Sequence, residues 1–410
     1  MKMPSEAIKF IENNLSKYKD FTSLRNDVLL LLDYEMEEDI VFENLSFCLI
    51  PYAFDHFKNL KCKDKSKSGC ESCAYFKFCN GYSKDFKRFI SPVKDIPKEI
   101  VIEVTDKCNH NCSFCFNSLV YGIQKRNERK DLSTGALKKI IDQIALSGVK
   151  IIRFSGGEPF LRKDICELIS YAKSQNLQVW LNSNATSLND KDIHFINDNI
   201  DNILIPLNGY DDKSDSFITK LPDSFSKKIS VLKKLENVKI KRIGVVLIKD
   251  NIDNLEKFYE ILKQFEMTFL EFYRPITKTQ EKELLKTAID KIYSLNLKHK
   301  KNVKIANALP FCFYKPDVSK KICLGGIFDD GNSRFVIGSS GIAKPSYYLS
   351  KNIGSSNSSI LDIWNNPYMK SLRELGNLPK LCINCEHKLT CRGGSRALRE
   401  ILKLEKDPLI

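Results

Sequence analysis

Three cysteines in one short stretch have a spacing that suits a metal cluster. Cys108, Cys112 and Cys115 form the pattern C-x3-C-x2-C directly after the apolar run 100–104. Thiolate loops of this kind hold iron–sulfur clusters, and three thiolates on a four-iron cluster leave one iron without a protein ligand, where a small molecule can bind. The alternative is a tetrahedral zinc site, for which His110 could supply the fourth ligand. The spacing favours the iron–sulfur cluster.

Two further groups of cysteines lie on either side of this loop. The chain has 14 cysteines, and its first residues, MKMPSEAIKF, lack the apolar core of a signal peptide. We therefore expect a cytoplasmic protein, in which reduced thiols serve metal sites rather than disulfides. The N-terminal group comprises Cys48, Cys62, Cys70, Cys73 and Cys79. The C-terminal group comprises Cys312, Cys323, Cys382, Cys385 and Cys391.

The N-terminal group lies in a lysine-rich segment that cannot form an apolar core of its own. Cys70, Cys73 and Cys79 have the spacing C-x2-C-x5-C, with Cys62 upstream. Metal binding would close this loop, because the free energy of binding then becomes free energy of folding. A structural zinc site without chemistry is one interpretation of this spacing.

The chain is basic, since 65 lysines and arginines outnumber 51 acidic residues and give a formal net charge of +14. A surface of this sign suits an acidic peptide, a nucleic acid or an anionic lipid, although a solvated lysine-rich face explains it equally well. We find no RNA-recognition motif and no continuous basic helix, which disfavours a nucleic-acid partner. The longest apolar run, 28–32, is too short to span a bilayer, so we expect no membrane partner.

From residue 100 onward, apolar runs alternate with segments of helical period. Six runs have the composition of strands, at residues 100–104, 149–154, 178–181, 203–207, 243–248 and 268–272. Between the first two, Leu137, Ile140, Ile141 and Ile144 recur at helical spacing after the potential cap Ser133. This alternation predicts an α/β fold in which parallel strands form a partial (β/α)6 barrel. A doubly wound sheet is the alternative.

The pattern divides the chain into three predicted domains. Residues 1–95 would form a helical, cysteine-rich N-terminal domain, with an amphipathic helix over 5–17. Residues 96–300 would form the (β/α)6 core, because the alternation of strands and helices is confined to them. Residues 301–410 would form a second cysteine-rich domain.

Polar or glycine-rich motifs follow the ends of the first five predicted strands. The cysteine loop follows the first strand, and the others are residues 155–159, 182–184, 208–209 and 249–251. Ligands of α/β barrels bind at these carboxyl ends. Gly156 and Gly157 would let the backbone approach a ligand closely, Glu158 adds a carboxylate that suits an ammonium group, and Pro159 stiffens the exit. An ordinary strand-to-helix turn would also explain the glycine pair by itself.

Together, the cysteine loop with Phe114 and the Gly-Gly-Glu-Pro motif at 156–159 resemble the radical S-adenosylmethionine (SAM) enzymes over residues 100–275. The resemblance implies a partial (β/α)6 barrel and a [4Fe–4S] cluster on Cys108, Cys112 and Cys115, whose open iron binds the amino and carboxylate groups of SAM. It also implies that the SAM amino group is lined by Gly156, Gly157, Glu158 and Pro159, and that Phe114 packs near the adenine. The ribose or the carboxylate of SAM would be approached by Asn182, Ser183 and Asn184. Further candidates for SAM contacts are Asn208 and Asn251.

For the reaction, the resemblance implies reductive cleavage of SAM. An electron from the reduced cluster would break a carbon–sulfur bond and give methionine and a 5′-deoxyadenosyl radical, which abstracts hydrogen from a substrate. The cofactor carries this chemistry and the protein supplies orientation and a dry barrel. An electron donor such as flavodoxin or ferredoxin would be the partner that reduces the cluster.

The C-terminal cysteines are similar to the SPASM extension, which carries auxiliary iron–sulfur clusters in radical SAM enzymes that modify peptides. Ser346 and Ser395 stand where that pattern has cysteines, and no cysteine follows Cys391. We therefore expect one auxiliary cluster here, held by Cys382, Cys385 and Cys391 with Cys323 or Cys312; a zinc ribbon is the alternative. The N-terminal group repeats the C-x2-C-x5-C spacing and predicts a second auxiliary cluster on Cys70, Cys73, Cys79 and Cys62 or Cys48.

The resemblance predicts an enzyme that modifies a peptide or protein substrate, by forming a thioether or carbon–carbon bond or by oxidising a side chain. An acidic leader peptide would match the basic surface. One alternative is cofactor biosynthesis on a small molecule such as a porphyrin. Another is a non-catalytic iron–sulfur electron carrier, which the Gly-Gly-Glu-Pro motif argues against because a carrier needs no SAM pocket.

Overall fold

The structure, a computed structural model, describes residues 95–115, 130–265, 268–276, 281–326 and 331–410. Before residue 95 it describes Leu24, Lys67, Cys70, Glu71, Cys73, Cys79, Gly81, Tyr82 and Lys87. Cys48 and Cys62 therefore lie outside the described residues, as does the predicted helix over 5–17.

The strands of the described chain form one sheet in the order β10-β9-β8-β1-β2-β3-β4-β5-β6-β7. Their bounds are Glu99–Glu103 (β1), Ile151–Ser155 (β2), Gln178–Asn182 (β3), Asn202–Pro206 (β4), Ile240–Val246 (β5), Thr268–Tyr273 (β6), Lys304–Ile305 (β7), Arg334–Ile337 (β8), Ile342–Lys344 (β9) and Gly354–Ser355 (β10). The eight strands β8, β1, β2, β3, β4, β5, β6 and β7 are all parallel to their neighbours in this order. At the β8 edge of the sheet, β9 runs antiparallel to β8 and β10 runs antiparallel to β9. The predicted α/β fold with six parallel strands is confirmed, and β7 and β8 extend it on both sides.

Helices connect the parallel strands, as crossovers between such strands require. Their bounds are Thr134–Leu146 (α1), Ile165–Ser174 (α2), Asp190–Asn199 (α3), Asp212–Thr219 (α4), Ser224–Lys234 (α5), Leu255–Leu262 (α6), Lys282–His299 (α7), Pro316–Ile322 (α8), Ile360–Trp364 (α9), Pro367–Arg373 (α10), Lys388–Cys391 (α11) and Arg396–Leu402 (α12). The predicted first helix is confirmed with its cap, since the Ser133 hydroxyl accepts a hydrogen bond from the Ala136 amide.

The two faces of the sheet differ in chemistry, because successive side chains of a strand point to opposite faces. One face is apolar and fully buried, as at Ile102, Phe154 and Leu181. Helix α6 packs on this face, where the rings of Phe258 and Phe272 meet edge to face at 6.4 Å. We call the opposite side the polar face; it carries Glu99, Glu103, Arg153, Trp180, Asn182, Asn202, Arg242, Glu271, Tyr273, Lys304, Arg334 and Lys344.

The chain forms two compact units. The first comprises Met1–Asp95, Asn296–Asn302 and Asn384–Thr390, and the second comprises Ile96–Leu295, Val303–Ile383 and Cys391–Ile410. The second unit contains the whole sheet, including β7 to β10 from the C-terminal third. The division into three domains at residues 95 and 300 stays a prediction.

Candidate active site

The glycine pair at the end of β2 packs against the chain that leads into the cysteine loop. The Gly157 amide donates to the Thr105 carbonyl at 2.8 Å and the Glu158 amide to the Lys107 carbonyl at 2.7 Å. A Cβ on Gly156 would lie 2.3 Å from the Thr105 oxygen, and one on Gly157 would lie 2.0 Å from the Lys107 oxygen. These glycines therefore permit a close approach of backbone to backbone, which holds the cysteine loop beside β2. Their predicted contact with SAM stays a prediction.

Glu158 joins the ends of β2 and β3 from a fully buried position. Its carboxylate accepts hydrogen bonds from the Ser183 hydroxyl at 2.8 Å, the Asn184 amide at 2.6 Å and the Phe160 amide at 3.2 Å. Burial raises the pKa of Glu158 to about 7, although these three bonds oppose the shift. Through these three hydrogen bonds the carboxylate holds the polar end of β3 in place.

The end of β3 in turn holds the cysteine loop through side-chain hydrogen bonds. The Asn184 Nδ2 group donates to Asn109 Oδ1 at 2.7 Å and lies 3.9 Å from the Cys108 sulfur. Thr186 Oγ1 donates to Asn184 Oδ1 at 2.7 Å, accepts from Asn109 Nδ2 at 3.0 Å, and lies 3.0 Å from His110 Nε2. The His110 ring, which the zinc alternative needs as a fourth ligand, is thus engaged with Thr186 through Nε2. Sequence reasoning missed Asn109 and Thr186, which belong to no motif.

The cysteines of the loop are grouped and partly exposed. Cys108, Cys112 and Cys115 are all half-buried, and the Cys115 amide donates to the Cys112 carbonyl at 3.2 Å. Burial, reinforced by the thiols of Cys115 and Cys108, raises the pKa of Cys112 to about 12, while the Lys228 ammonium acts in the opposite direction. Three neighbouring soft sulfur donors with access to solvent fit an iron–sulfur cluster, which would keep them deprotonated.

A buried ion pair lies under the cysteine loop. Lys228 Nζ donates to Asp215 Oδ2 at 2.6 Å, and both side chains are fully buried. Asp215 Oδ1 also accepts from the amides of Asn208 and Gly209, at 3.1 and 2.9 Å. Helix α4, which carries Asp215, ends at Thr219, whose carbonyl accepts from the Asn111 amide at 3.0 Å. The pair therefore connects the end of β4 with the cysteine loop. The sequence showed no sign of it, because these residues are 13 positions apart and belong to different helices.

Two of the asparagines predicted to contact SAM connect the ends of β4 and β5 and are buried. Asn208 Oδ1 accepts from the Val246 amide at 2.9 Å. Asn251 Nδ2 donates to the carbonyls of Asn208 and Val246, and its Oδ1 accepts from the Ile248 amide at 3.1 Å. Both ends of the Asn251 amide and the Oδ1 atom of Asn208 are thus bonded to backbone groups. Asn182 lies on the polar face and bonds to Arg153 and Tyr347.

The other predicted SAM contacts lie near the same strand ends. Pro159 is buried at the start of a short 3-10 helix, Pro159–Leu161, and Phe114 is half-buried next to Cys115. The assignments of Phe114, Pro159, Asn182, Ser183, Asn184, Asn208 and Asn251 to SAM stay predictions.

Within the C-terminal group, Cys391 is close enough to Cys312 and to Cys323 to interact with both electrostatically. Cys323 and Cys391 are buried and Cys312 is exposed. Burial raises the pKa of Cys391 to about 12, and the Cys312 thiol acts in the same direction. The amides of Phe311, Gly393 and Gly394 donate to the Cys391 sulfur and oppose this shift. Burial also raises the pKa of Cys323, with a contribution from the Cys391 thiol. Amides directed at a cysteine sulfur are a feature of iron–sulfur sites.

Further predicted ligands of the auxiliary clusters lie in both cysteine groups. Cys382 is buried at the end of the 3-10 helix Lys380–Cys382, and Cys385 is half-buried. In the N-terminal group, the Cys73 amide donates to the Cys70 carbonyl at 2.9 Å. Burial raises the pKa of Cys70, and the thiols of Cys73 and Cys79 add to the shift, so these three thiols are close enough to interact electrostatically.

The two serines at SPASM cysteine positions are buried and serve the backbone. Ser346 Oγ accepts from the amides of Tyr348 and Leu349 at 3.3 and 3.2 Å. Ser395 Oγ accepts from the Leu398 amide at 3.2 Å and caps α12. Both hydroxyl oxygens thus accept hydrogen bonds from backbone amides at positions where the SPASM pattern has cysteine ligands.

Comparison with known proteins finds a family with this combination of features. The Radical SAM superfamily model matches residues 102–262. The chain is 24% identical to PqqA peptide cyclase of Bradyrhizobium diazoefficiens over 318 residues, 73% of this chain and 82% of the relative. It is 26% identical to Fe-coproporphyrin III synthase of Methanosarcina barkeri over 199 residues, about half of each chain (47% and 48%).

Solved structures show the same fold. Streptococcus suis SuiB bound to precursor peptide SuiA has a TM-score of 0.61 at 17% identity, over 77% of this chain and 76% of that one. Native anSMEcpe with bound AdoMet has a TM-score of 0.59 at 17% identity, over 74% of this chain and 90% of that one. The residues that match the Radical SAM superfamily model, 102–262, contain the cysteine loop on β1 and the glycine pair on β2, so this part of the chain is similar to the radical SAM superfamily.

Proposed function

We propose that this protein is a radical SAM enzyme that modifies a peptide or protein substrate. The observation that carries the proposal is the Cys108–Cys115 loop, whose grouped sulfurs lie at the carboxyl end of β1 beside Gly156 and Gly157. A [4Fe–4S] cluster on these thiols would supply the electron that cleaves SAM to methionine and a hydrogen-abstracting 5′-deoxyadenosyl radical. The chain's own residues would position that chemistry: the glycine pair, Glu158 and Asn184 hold the loop at the strand ends.

The peptide as substrate is supported by what the similar proteins act on or bind. The relative that matches over most of both chains is a peptide cyclase, and the SuiB structure contains a precursor peptide. A tetrapyrrole substrate is the second candidate, because Fe-coproporphyrin III synthase and AdoMet-dependent heme synthase of Methanosarcina barkeri are also similar, each over about half its length. The longer match favours the peptide.

Reduction by flavodoxin or ferredoxin and a location in the cytoplasm are further proposals, drawn from the sequence pattern. An acidic leader peptide would suit the formal charge of +14.

Among the residues that the structure describes, none of the helices has the length and apolar character needed to cross a membrane.

The proposed reaction predicts release of 5′-deoxyadenosine that depends on the substrate class. The anaerobic, iron-reconstituted chain would be given dithionite and SAM, with either a cellular peptide fraction or coproporphyrin III. We expect the peptide fraction to stimulate release, and prior protease treatment of that fraction to remove the stimulation. Stimulation by coproporphyrin III alone would favour tetrapyrrole chemistry, and a chain with an intact cluster that releases nothing would be an electron carrier.

We also propose that Cys312, Cys323 and Cys391 hold an auxiliary iron–sulfur cluster, with Cys382 as the fourth ligand. Replacing Cys323 by alanine is then expected to lower the iron content by about four per chain, because the cluster loses a buried ligand. SAM cleavage at the Cys108–Cys115 loop should persist. Metal analysis and the 5′-deoxyadenosine assay measure the two effects. Zinc bound by the unsubstituted chain and lost in Cys323→Ala, with the iron content unchanged, would rule out the auxiliary cluster.

A further inference from the structure

The polar face carries an aromatic ring flanked by two guanidinium groups. The Arg153 guanidinium carbon lies 4.6 Å from the centre of the Trp180 ring, and that of Arg242 lies 5.9 Å from the same centre. Arg153 and Trp180 are paired across β2 and β3, and Trp180 is paired with Asn202 on β4. The strand register thus places Arg153, Trp180 and Asn202 side by side, with Arg153 and Trp180 in the middle of their strands rather than at the carboxyl ends.

Both guanidinium groups are held by other side chains of this face. Arg153 donates to Glu99 at 2.8 Å and to Asn182 at 3.1 Å. Arg242 Nε donates to Asn202 Oδ1 at 2.9 Å, and its Nη1 donates to Glu271 at 3.2 Å. The groups are therefore oriented before any ligand binds, which lowers the entropic cost of binding.

Each guanidinium nevertheless keeps one buried nitrogen that has no hydrogen-bond partner within the described part of the chain. These atoms are Arg153 Nε and Arg242 Nη2. The Arg153 residue is only 3% exposed, so solvent does not readily compensate. A buried charged donor without an acceptor is unfavourable, and such groups in native proteins usually have a partner. The two nitrogens therefore indicate an acceptor that the described chain does not provide.

The charges of the polar face indicate that this acceptor is an anion. Strands β1 to β9 place five cationic and three anionic side chains on this face, an excess of two positive charges. The cations are Arg153, Arg242, Lys304, Arg334 and Lys344, and the carboxylates are Glu99, Glu103 and Glu271. Burial would raise the pKa of Glu99, but the neighbouring Arg153 and Arg334 hold it at about 2, so this carboxylate stays charged. A carboxylate offers two acceptor oxygens, one for the unpartnered buried nitrogen of each guanidinium.

We propose that Arg153 and Arg242, beside Trp180, bind a carboxylate of the substrate, either an Asp or Glu side chain or a C-terminal carboxylate. The proposal rests on the proposed peptide-modifying function and makes it more specific, because the substrate would carry an acidic group that binds at this site. Trp180 and Asn182 are half-buried, so the ligand would approach past these two side chains. SAM also has a carboxylate, and the test must separate the two sources.

The site can be tested in the full chain labelled with 5-fluorotryptophan. The chain has two tryptophans, Trp180 and Trp364, and the buried Trp364 serves as an internal control for the fold. The probes are the peptides acetyl-Ala-Glu-Ala-amide and acetyl-Ala-Gln-Ala-amide, titrated separately and with SAM present. We expect the glutamyl peptide to shift the Trp180 fluorine resonance, the glutaminyl peptide to leave it unchanged, and Trp364 to stay constant.

Variants give the decisive comparison. Arg242→Gln should weaken binding of the glutamyl peptide about tenfold or more, the loss expected for a charge-assisted hydrogen bond. Lys241→Gln, on the same strand but the opposite face, should leave it unchanged. Equal response to both peptides, or an unaltered affinity in Arg242→Gln, would refute the carboxylate site. Displacement of the glutamyl peptide by SAM would assign the site to SAM instead.

The outcome is separable from that of the proposed function. The same preparation is assayed for 5′-deoxyadenosine in the absence of any peptide. A chain that cleaves SAM but shows no Trp180 response loses only the carboxylate site. A chain that shows the Trp180 response but releases no 5′-deoxyadenosine keeps a carboxylate-binding site and loses the proposed reaction.

Discussion

Replacing Cys112 by alanine is expected to reduce release of 5′-deoxyadenosine to background and to lower the iron content by about four per chain. The reason is that the Cys108–Cys115 loop offers three neighbouring sulfurs, and two thiolates hold a four-iron cluster poorly. Measurements of iron and of 5′-deoxyadenosine on the anaerobically reconstituted variant check both effects. Because Cys112 is half-buried in a loop, the variant should keep its fold.

Cys166→Ala is the matched control, since this half-buried thiol lies on α2 outside all three cysteine groups. It should leave iron content and SAM cleavage unchanged. If Cys112→Ala still cleaved SAM with its iron retained, the cluster would have to lie on another cysteine group. Retained iron without cleavage in Cys112→Ala would instead show that the lost activity has a cause other than cluster loss.

Replacing Lys228 by methionine is expected to destabilise the second unit by about 3–5 kcal/mol, the cost typical of removing one partner of a buried ion pair. Asp215 would remain fully buried without its cation, and its hydrogen bonds with Asn208, Gly209 and the Ser224 hydroxyl would not compensate. Chemical denaturation followed by circular dichroism measures the loss. Because α4 contacts the cysteine loop through Thr219 and Asn111, cluster loading should fall as well.

Two further variants make this prediction specific. Lys234→Met removes a lysine from the same helix, α5, but its partner Asp190 is largely exposed. The denaturant concentration at the midpoint of unfolding should therefore barely change. The double variant Asp215→Asn and Lys228→Met removes both charges and should recover much of the stability. Equal effects of Lys228→Met and Lys234→Met would show that the buried pair has no special role.

Local pattern explains why β1 to β6 and α1 could be predicted. Each of these strands is a short apolar run, and α1 repeats apolar residues at helical spacing between a serine cap and Gly148. By contrast, no local sequence pattern around β8 indicates which strand it pairs with. It pairs with β1 from more than 200 residues away, Glu99 opposite Arg334. Such a pairing depends on the tertiary structure, because no local periodicity records it.

Motif residues had correct positions but incompletely predicted roles. Gly156 and Gly157 were expected to admit a ligand, and they admit the backbone of Thr105 and Lys107. Glu158 was expected to face an ammonium group, and its carboxylate accepts three hydrogen bonds from protein groups. A motif specifies residue types and spacing, whereas the partner of a buried polar group depends on which strand end lies next to it.

By itself the sequence determined the cysteine loop, its place after the first strand and the glycine motif after the second, because these depend on spacing and on local period. Only the tertiary structure decided that Asp215 and Lys228 lie beneath that loop, that Cys323 and Cys391 are neighbours, and that Arg153 and Arg242 flank Trp180. These groups combine residues far apart along the chain, and a charge or thiol shows its partner only when strand order and burial bring the two together.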